Sequence, residues 1–197
     1  MTSRDKFAVA IWVIALGSAA AYFLHNKFSK PDNTMSDPRN GITYRTVTIG
    51  EQRWMAENLN YEIGTSWCSG DNPKNCQIYG RLYDWNTAVR ACPDGWHLPS
   101  DAEWTTLENA TGNNAFKLMD SVMLGTNNFG FKAIPAGDRY PSTGTFDGVG
   151  IAAMFWSATN AGDMSAVSRF LCTGCAQITS NQEDTRSGMS VRCVADH

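Results

Sequence analysis

The side chains of this protein best suited to chemistry are its six cysteines, Cys68, Cys76, Cys92, Cys172, Cys175 and Cys193. Thiols in even number are the raw material either of disulfides or of a thiolate metal site. Only Cys172 and Cys175 stand at the spacing of a zinc ligand pair, and no second close pair or neighbouring histidine completes a set of four. No metal is therefore expected. Catalysis finds equally little material. The three histidines are His25, His97 and His197, and His97, between Trp96 and Leu98, reads as a hydrogen-bonded structural residue rather than a base. No G-x-S-x-G nucleophile motif occurs. Glu57, Asp101 and Glu103 are the carboxylates that can be offered as acids or bases. Glu103 already has a local task, because Ser100-Asp101-Ala102-Glu103 is a capping box. Nucleophile, base and orienting group cannot all be named, so no catalytic residue and no cofactor are expected.

Binding is better supplied. Asp138, Arg139, Tyr140, Asp147 and Trp156 lie in or beside a Gly- and Asn-rich stretch, residues 113–150, and combine charge with aromatic faces as sugar or peptide recognition requires. Each also has a structural reading. Trp156 can pack in the core, Arg139 can make an internal ion pair, and Asp138 and Asp147, nine positions apart, can be solvated turn residues.

The elements that position these residues follow from periodicity. Residues 42–49 and 52–59 read as two strands joined at Gly50-Glu51, with β-branched and aromatic residues throughout. A bridge between Cys68 and Cys76 would staple the polar stretch 60–77. Residues 83–92 place Trp85, Ala88, Val89 and Cys92 at helical spacing before Pro93, and a second helix follows the capping box with Trp104, Leu107 and Ala110 on one face. Residues 151–158, 166–171, 176–180 and 189–195 read as strands, with Thr173-Gly174 a hairpin turn. Strands flank two consecutive helices without sustained alternation, which is an α+β pattern.

Composition sets the compartment. Of 197 residues, 43% are hydrophobic and 18% charged, which excludes a disordered or coiled-coil chain. Phe7 to Leu24 contains no charged residue. As a helix it would reach about 27 Å, near the thickness of a bilayer's hydrocarbon core. Arg4 and Lys6 precede it, and small residues at 19–21 offer a cleavage site, so it reads as a membrane anchor or a cleaved export signal. Residues 1–28 are assigned to this segment, 29–40 to a polar, proline-bearing tether and 41–197 to a globular domain. The net charge of −3 divides unevenly, since residues 31–197 hold twelve basic and eighteen acidic side chains. Nucleic acid is not an expected partner of such a surface. Even cysteine usage behind an export-like segment places the domain outside the cytoplasm, in the cell envelope or at the surface.

Five segments, taken in order, carry a specific likeness: WMAENLNY at 54–61, YGRLYDWNTAVRACPDGWHLPSDAEWTTL at 79–107, GFKAIPAGDR at 130–139, FWSAT at 155–159 and SGMSVRCVAD at 187–196. Together they resemble the Fibrobacter succinogenes major paralogous domain, a bacterial surface-associated family, over residues 37–196. The family looks related to C-type-lectin-like domains. The resemblance thus implies two helices flanking a small antiparallel sheet, with a long irregular loop carrying ligand contacts. It also implies a Cys92–Cys193 bridge and a local Cys68–Cys76 bridge. Cys172 and Cys175 depart from the family pattern, and are left to form a small bridge or a labile redox pair. The Glu-Pro-Asn and Gln-Pro-Asp calcium signatures of sugar-binding lectins are absent, and the motifs of the lectin-like formylglycine-generating enzymes are not matched. The expectation is a cell-envelope binding or adhesion module with a glycan or protein ligand. Its alternative is a structural surface protein that self-associates or scaffolds partners. Residues 7–24 would contact the membrane if uncleaved.

Overall fold

The computed structural model describes residues 33–196. The region read as anchor or signal lies outside these residues; among the described ones no helix is long and apolar enough to cross a membrane. One compact unit begins at Thr34.

In chain order its strands and helices are β1 Thr34–Ser36, β2 Thr43–Ile49, β3 Gln52–Met55, β4 Ser66–Trp67, α1 Pro73–Tyr79, β5 Leu82–Tyr83, α2 Trp85–Ala88, β6 Trp96–His97 and α3 Asp101–Thr111. There follow β7 Ala136–Arg139, β8 Phe146–Val149, β9 Ala152–Gly162, β10 Ser165–Cys172, β11 Thr179–Asp184, β12 Met189–Ser190 and β13 Val194–Ala195. A five-stranded sheet runs β1-β2-β3-β13-β6. An eight-stranded sheet runs β11-β10-β9-β12-β5-β4, with β7 joined to β9 and β8 to β7. Part of the polar stretch ahead of the domain is in the first sheet, where Thr34 pairs with Arg45 and Ser36 with Thr43.

The chain is mostly β, and the expected lectin-like arrangement of two helices around a small sheet is not what it adopts. Two causes are visible. The helix read over residues 83–92 shrinks to the four residues of α2, because its surroundings claim both ends. Tyr83 is held in β5 between Ser66 of β4 and Met189 of β12. At the far end the Arg39 guanidinium takes the Ala91 carbonyl at 2.8 Å, and Cys92 is bonded to Cys193. The stretch read as a long irregular loop is the second cause, since it supplies the β7–β8 hairpin and so enlarges the sheet. Helix α3 has its capping box, with the Glu103 carboxylate accepting from the Ser100 amide at 2.7 Å.

Two clusters fill the interior. In the first, Trp54, Trp104, Phe131 and Phe155 pack at tilted and edge-on angles, with Trp54 and Trp104 centroids 4.9 Å apart. Such offset geometries suit the ring quadrupoles. The second gathers Tyr44, Met55, Leu59, Tyr83, Trp156 and Met189 around Cys193. Three disulfides, Cys68–Cys76, Cys92–Cys193 and Cys172–Cys175, use all six thiols.

Candidate functional site

Four of the five candidate binding residues come together on the β7–β8 hairpin. Strand pairing sets their faces: Asp138 lies opposite Asp147, and Arg139 opposite Phe146. Because alternate residues of a strand point to opposite sides, the acids and the arginine are separated onto two faces of one ribbon. The hairpin depends on Gly137. Its φ is +67°, and a Cβ there would lie 2.0 Å from the Asp147 carbonyl oxygen, so only glycine fits.

The first face is acidic. Asp138 is buried, Asp147 is exposed, and the Tyr140 hydroxyl lies 3.5 Å from an Asp147 oxygen. Burial, with the charges of Asp147 and Glu183 added, pushes the Asp138 carboxyl up to about 6. Glu183 is raised too, by burial. Among the described residues no group of three or more acidic, cysteine or histidine side chains is arranged to hold a metal ion.

The second face is cationic and aromatic. The Arg139 guanidinium carbon lies 4.3 Å from the centre of the Trp67 ring and 5.9 Å from that of Phe146. Trp67 reaches it from β4, and Gly188 makes room, since a Cβ on that glycine would meet Arg139 Cβ at 2.9 Å and Trp67 Cε3 at 3.0 Å. Backbone bonds fix the register, with the Arg139 and Gly188 amides each donating to the other's carbonyl at 2.9 Å. Among the described residues the guanidinium is not paired with a carboxylate, and its buried Nε has no hydrogen-bond acceptor. Trp67 also lines an open pocket of about 290 Å³ with Glu62, Ser66, Asp71, Pro73 and Arg81. There Arg81 is paired with Glu62 at 2.6 Å.

Trp156 belongs to neither face. It is fully buried, donating its indole N–H to the Tyr83 carbonyl at 2.7 Å, and so takes its structural reading. The important omission from the candidate set is Trp67. Its only sequence signal was an aromatic beside Cys68 in a polar stretch, and it sits 72 positions before Arg139.

A second groove, of about 220 Å³, is bordered by Tyr44, Arg45, Asn58, Gly80, Lys132 and Ile134. Several of its polar groups are occupied internally. Asn58 donates to the Tyr79 carbonyl at 2.8 Å and accepts from Arg192 at 2.7 Å, while Arg45 pairs with Glu57 at 3.3 Å. His97, considered for catalysis, is bracketed by Glu103 at 2.7 Å and Asp196 at 2.6 Å, away from either cavity lining.

Residues 47–195 match the family model described as Fibrobacter succinogenes major domain. No curated protein and no solved structure matches the chain.

Proposed function

This chain belongs to the Fibrobacter succinogenes major domain family, and from that premise we propose that it is a cell-envelope binding module whose ligand surface is the Trp67–Arg139 side of the β7–β8 hairpin. One observation carries the reading. The Arg139 guanidinium lies over the Trp67 ring and near that of Phe146, without a carboxylate partner among the described residues. Unpaired half-buried charge is costly for folding alone, and is reasonable where a ligand completes it. Three disulfides support an extracytoplasmic, oxidising setting, since bridges of this kind persist there. The uncharged apolar run at residues 7–24 supports attachment to, or export across, the membrane.

The test uses the full-length chain in detergent on glycan and peptide arrays, beside its Arg139→Gln variant, with sedimentation velocity on both. Binding that falls in the variant supports the module. Absence of any binding, together with concentration-dependent assembly, overturns it in favour of a self-associating scaffold. Non-reducing mass spectrometry of protein from native membranes checks the compartment, where six free thiols would refute it.

A further inference from the structure

We infer that the acidic face of the β7–β8 hairpin, where Asp138, Asp147 and Glu183 gather, is a second binding surface that takes a primary ammonium group, the lysine side chain of a basic peptide. It uses other residues than the Trp67–Arg139 surface and stands independently of it.

Strand register builds this face. Asp138 of β7 lies opposite Asp147 of β8, and Tyr140, two residues beyond Asp138, projects to the same side. The Tyr140 hydroxyl is 3.5 Å from an Asp147 oxygen, and its side chain is exposed. Glu183 enters from β11, and its charge is felt by both Asp138 and Tyr140. Three acids from three strands thus share one environment.

No base answers them. Among the described residues Asp138, Asp147 and Glu183 have no ion-pair partner. Asp138 makes the point sharply, because it is only 8% exposed. The other buried acid among the described residues, Asp37, takes Arg39 at 2.7 Å. Asp138 has no such cation, and the hydrogen bond to its carboxyl comes from its own amide. It is nonetheless not sealed in, since at least one of its oxygens has neither a donor nor a complete protein cover. A carboxylate held this way is costly to the fold alone, and an incoming cation would complete it.

The surroundings choose the cation. No group of three acidic, cysteine or histidine side chains among the described residues is arranged to hold a metal ion, which disfavours a divalent one. An ammonium is a compact charge with three rotatable donors, suited to acceptors supplied by separate strands, whereas a guanidinium needs two oxygens set in one plane. The Tyr140 ring offers a face to the cation or to its alkyl stem. A peptide is favoured as the carrier because β8 pairs with β7 alone, leaving a strand edge beside Asp147 for an extended segment. The acidic excess of residues 31–197 also draws basic chains.

The experiment is titration calorimetry on the full-length chain in detergent. Its probes are a short peptide of alternating threonine and lysine, the Nε-acetylated form of that peptide, glucosamine oligomers and calcium. The lysine peptide should bind about tenfold more tightly than its acetylated form, as for a charge-assisted hydrogen bond. That preference should fade as pH drops through about 6, where Asp138 takes up its proton beside Asp147, Glu183 and Tyr140. Asp138→Asn should erase it and Glu183→Gln weaken it, with unfolding curves showing that both variants fold. Equal binding of the two peptides, or no binding of either, overturns ammonium recognition. Glucosamine oligomers that bind as tightly as the peptide overturn the peptide carrier. Calcium binding that Asp138→Asn abolishes overturns the organic cation. A preference that survives in folded Asp138→Asn protein overturns the site.

Discussion

Arg192 and Asn58 are 134 positions apart and meet in the core, where the guanidinium Nε donates to the Asn58 side-chain oxygen at 2.7 Å. The same guanidinium serves the carbonyls of Met55 at 3.2 Å, Lys132 at 2.7 Å and Phe131, and it lies 4.5 Å from the Phe131 ring centre. Burial pushes it down to about 9, so it remains charged at neutral pH, stabilised by carbonyl dipoles and ring faces rather than by an acid. Three of the segments that carry the family likeness, 54–61, 130–139 and 187–196, are thereby tied together at one cation.

Arg192→Ala should accordingly be among the most damaging single changes. It strands several buried acceptors and opens a cavity, at a cost of about 3–5 kcal/mol. Arg192→Lys should recover little, because an ammonium cannot reach acceptors spread around a planar fork. Urea unfolding with the disulfides intact measures both. A loss below about 1 kcal/mol for the alanine variant would remove the hub role.

Asp138 should give stability a slope in mild acid. Its folded-state value, about 6, lies above the unfolded one, so the folded protein holds the proton more tightly. Stability therefore falls as pH rises from about 4 to about 6, by roughly 1–3 kcal/mol at most. Asp138→Asn should flatten this slope and raise the melting temperature at pH 7. Thermal unfolding at a series of pH values decides it, and an unchanged slope in the variant would count against the assignment.

His97 should contribute in the other half of the pH range. Partial burial opposes its protonation, but the hydrogen bonds with Asp196 and Glu103 outweigh that and raise it above its ordinary value. The stabilisation is complete below the unfolded-state value near 6.5 and is lost as pH climbs through the folded one. Glu103 has the opposite sign. Burial pushes it up, the bonds from Ser100 and His97 more than offset this, and its share is lost as pH falls through its lowered value. His97→Gln should abolish the decline above neutrality, read as melting temperature from pH 6 to 9.

The disulfides should differ in worth with the loops they close. Cys92–Cys193 spans 101 positions and Cys172–Cys175 spans three. On the chain-entropy model, loss of the first costs about 4–5 kcal/mol and loss of the second about 2 kcal/mol. Paired Cys→Ser variants compared by urea unfolding test this, with equal losses as the refuting outcome.

Gly137→Ala should break the hairpin that carries Asp138 and Arg139. The added carbon meets the Asp147 carbonyl and the backbone is left-handed, so a loss above about 2 kcal/mol is expected, together with weakened binding at Arg139. Circular dichroism melts and the array experiment read the two effects.

What the sequence by itself determined was local. The capping box of Ser100 and Glu103 is legible because its partners are three residues apart on one turn of chain. The turn at Gly50-Glu51 and the strands it joins follow from alternation and turn chemistry within a few residues, and Thr173-Gly174 does turn the chain, although the strand beyond it is Thr179–Asp184 rather than residues 176–180. Five ordered segments were enough to identify the family. Grouping Asp138, Arg139, Tyr140 and Asp147 was also within reach, since one hairpin carries all four. Tertiary structure decided the rest. The helix read over residues 83–92 has good spacing, but partners as distant as Met189 and Cys193 take its ends for other pairings. Which face of the hairpin meets Trp67, and which is left with the acids, depends on the register of β7 against β8 and on Gly188 packing from the far end of the chain. A shift of one residue would exchange Arg139 for Asp138 at the ring, and contacts between strands far apart in sequence fix that choice.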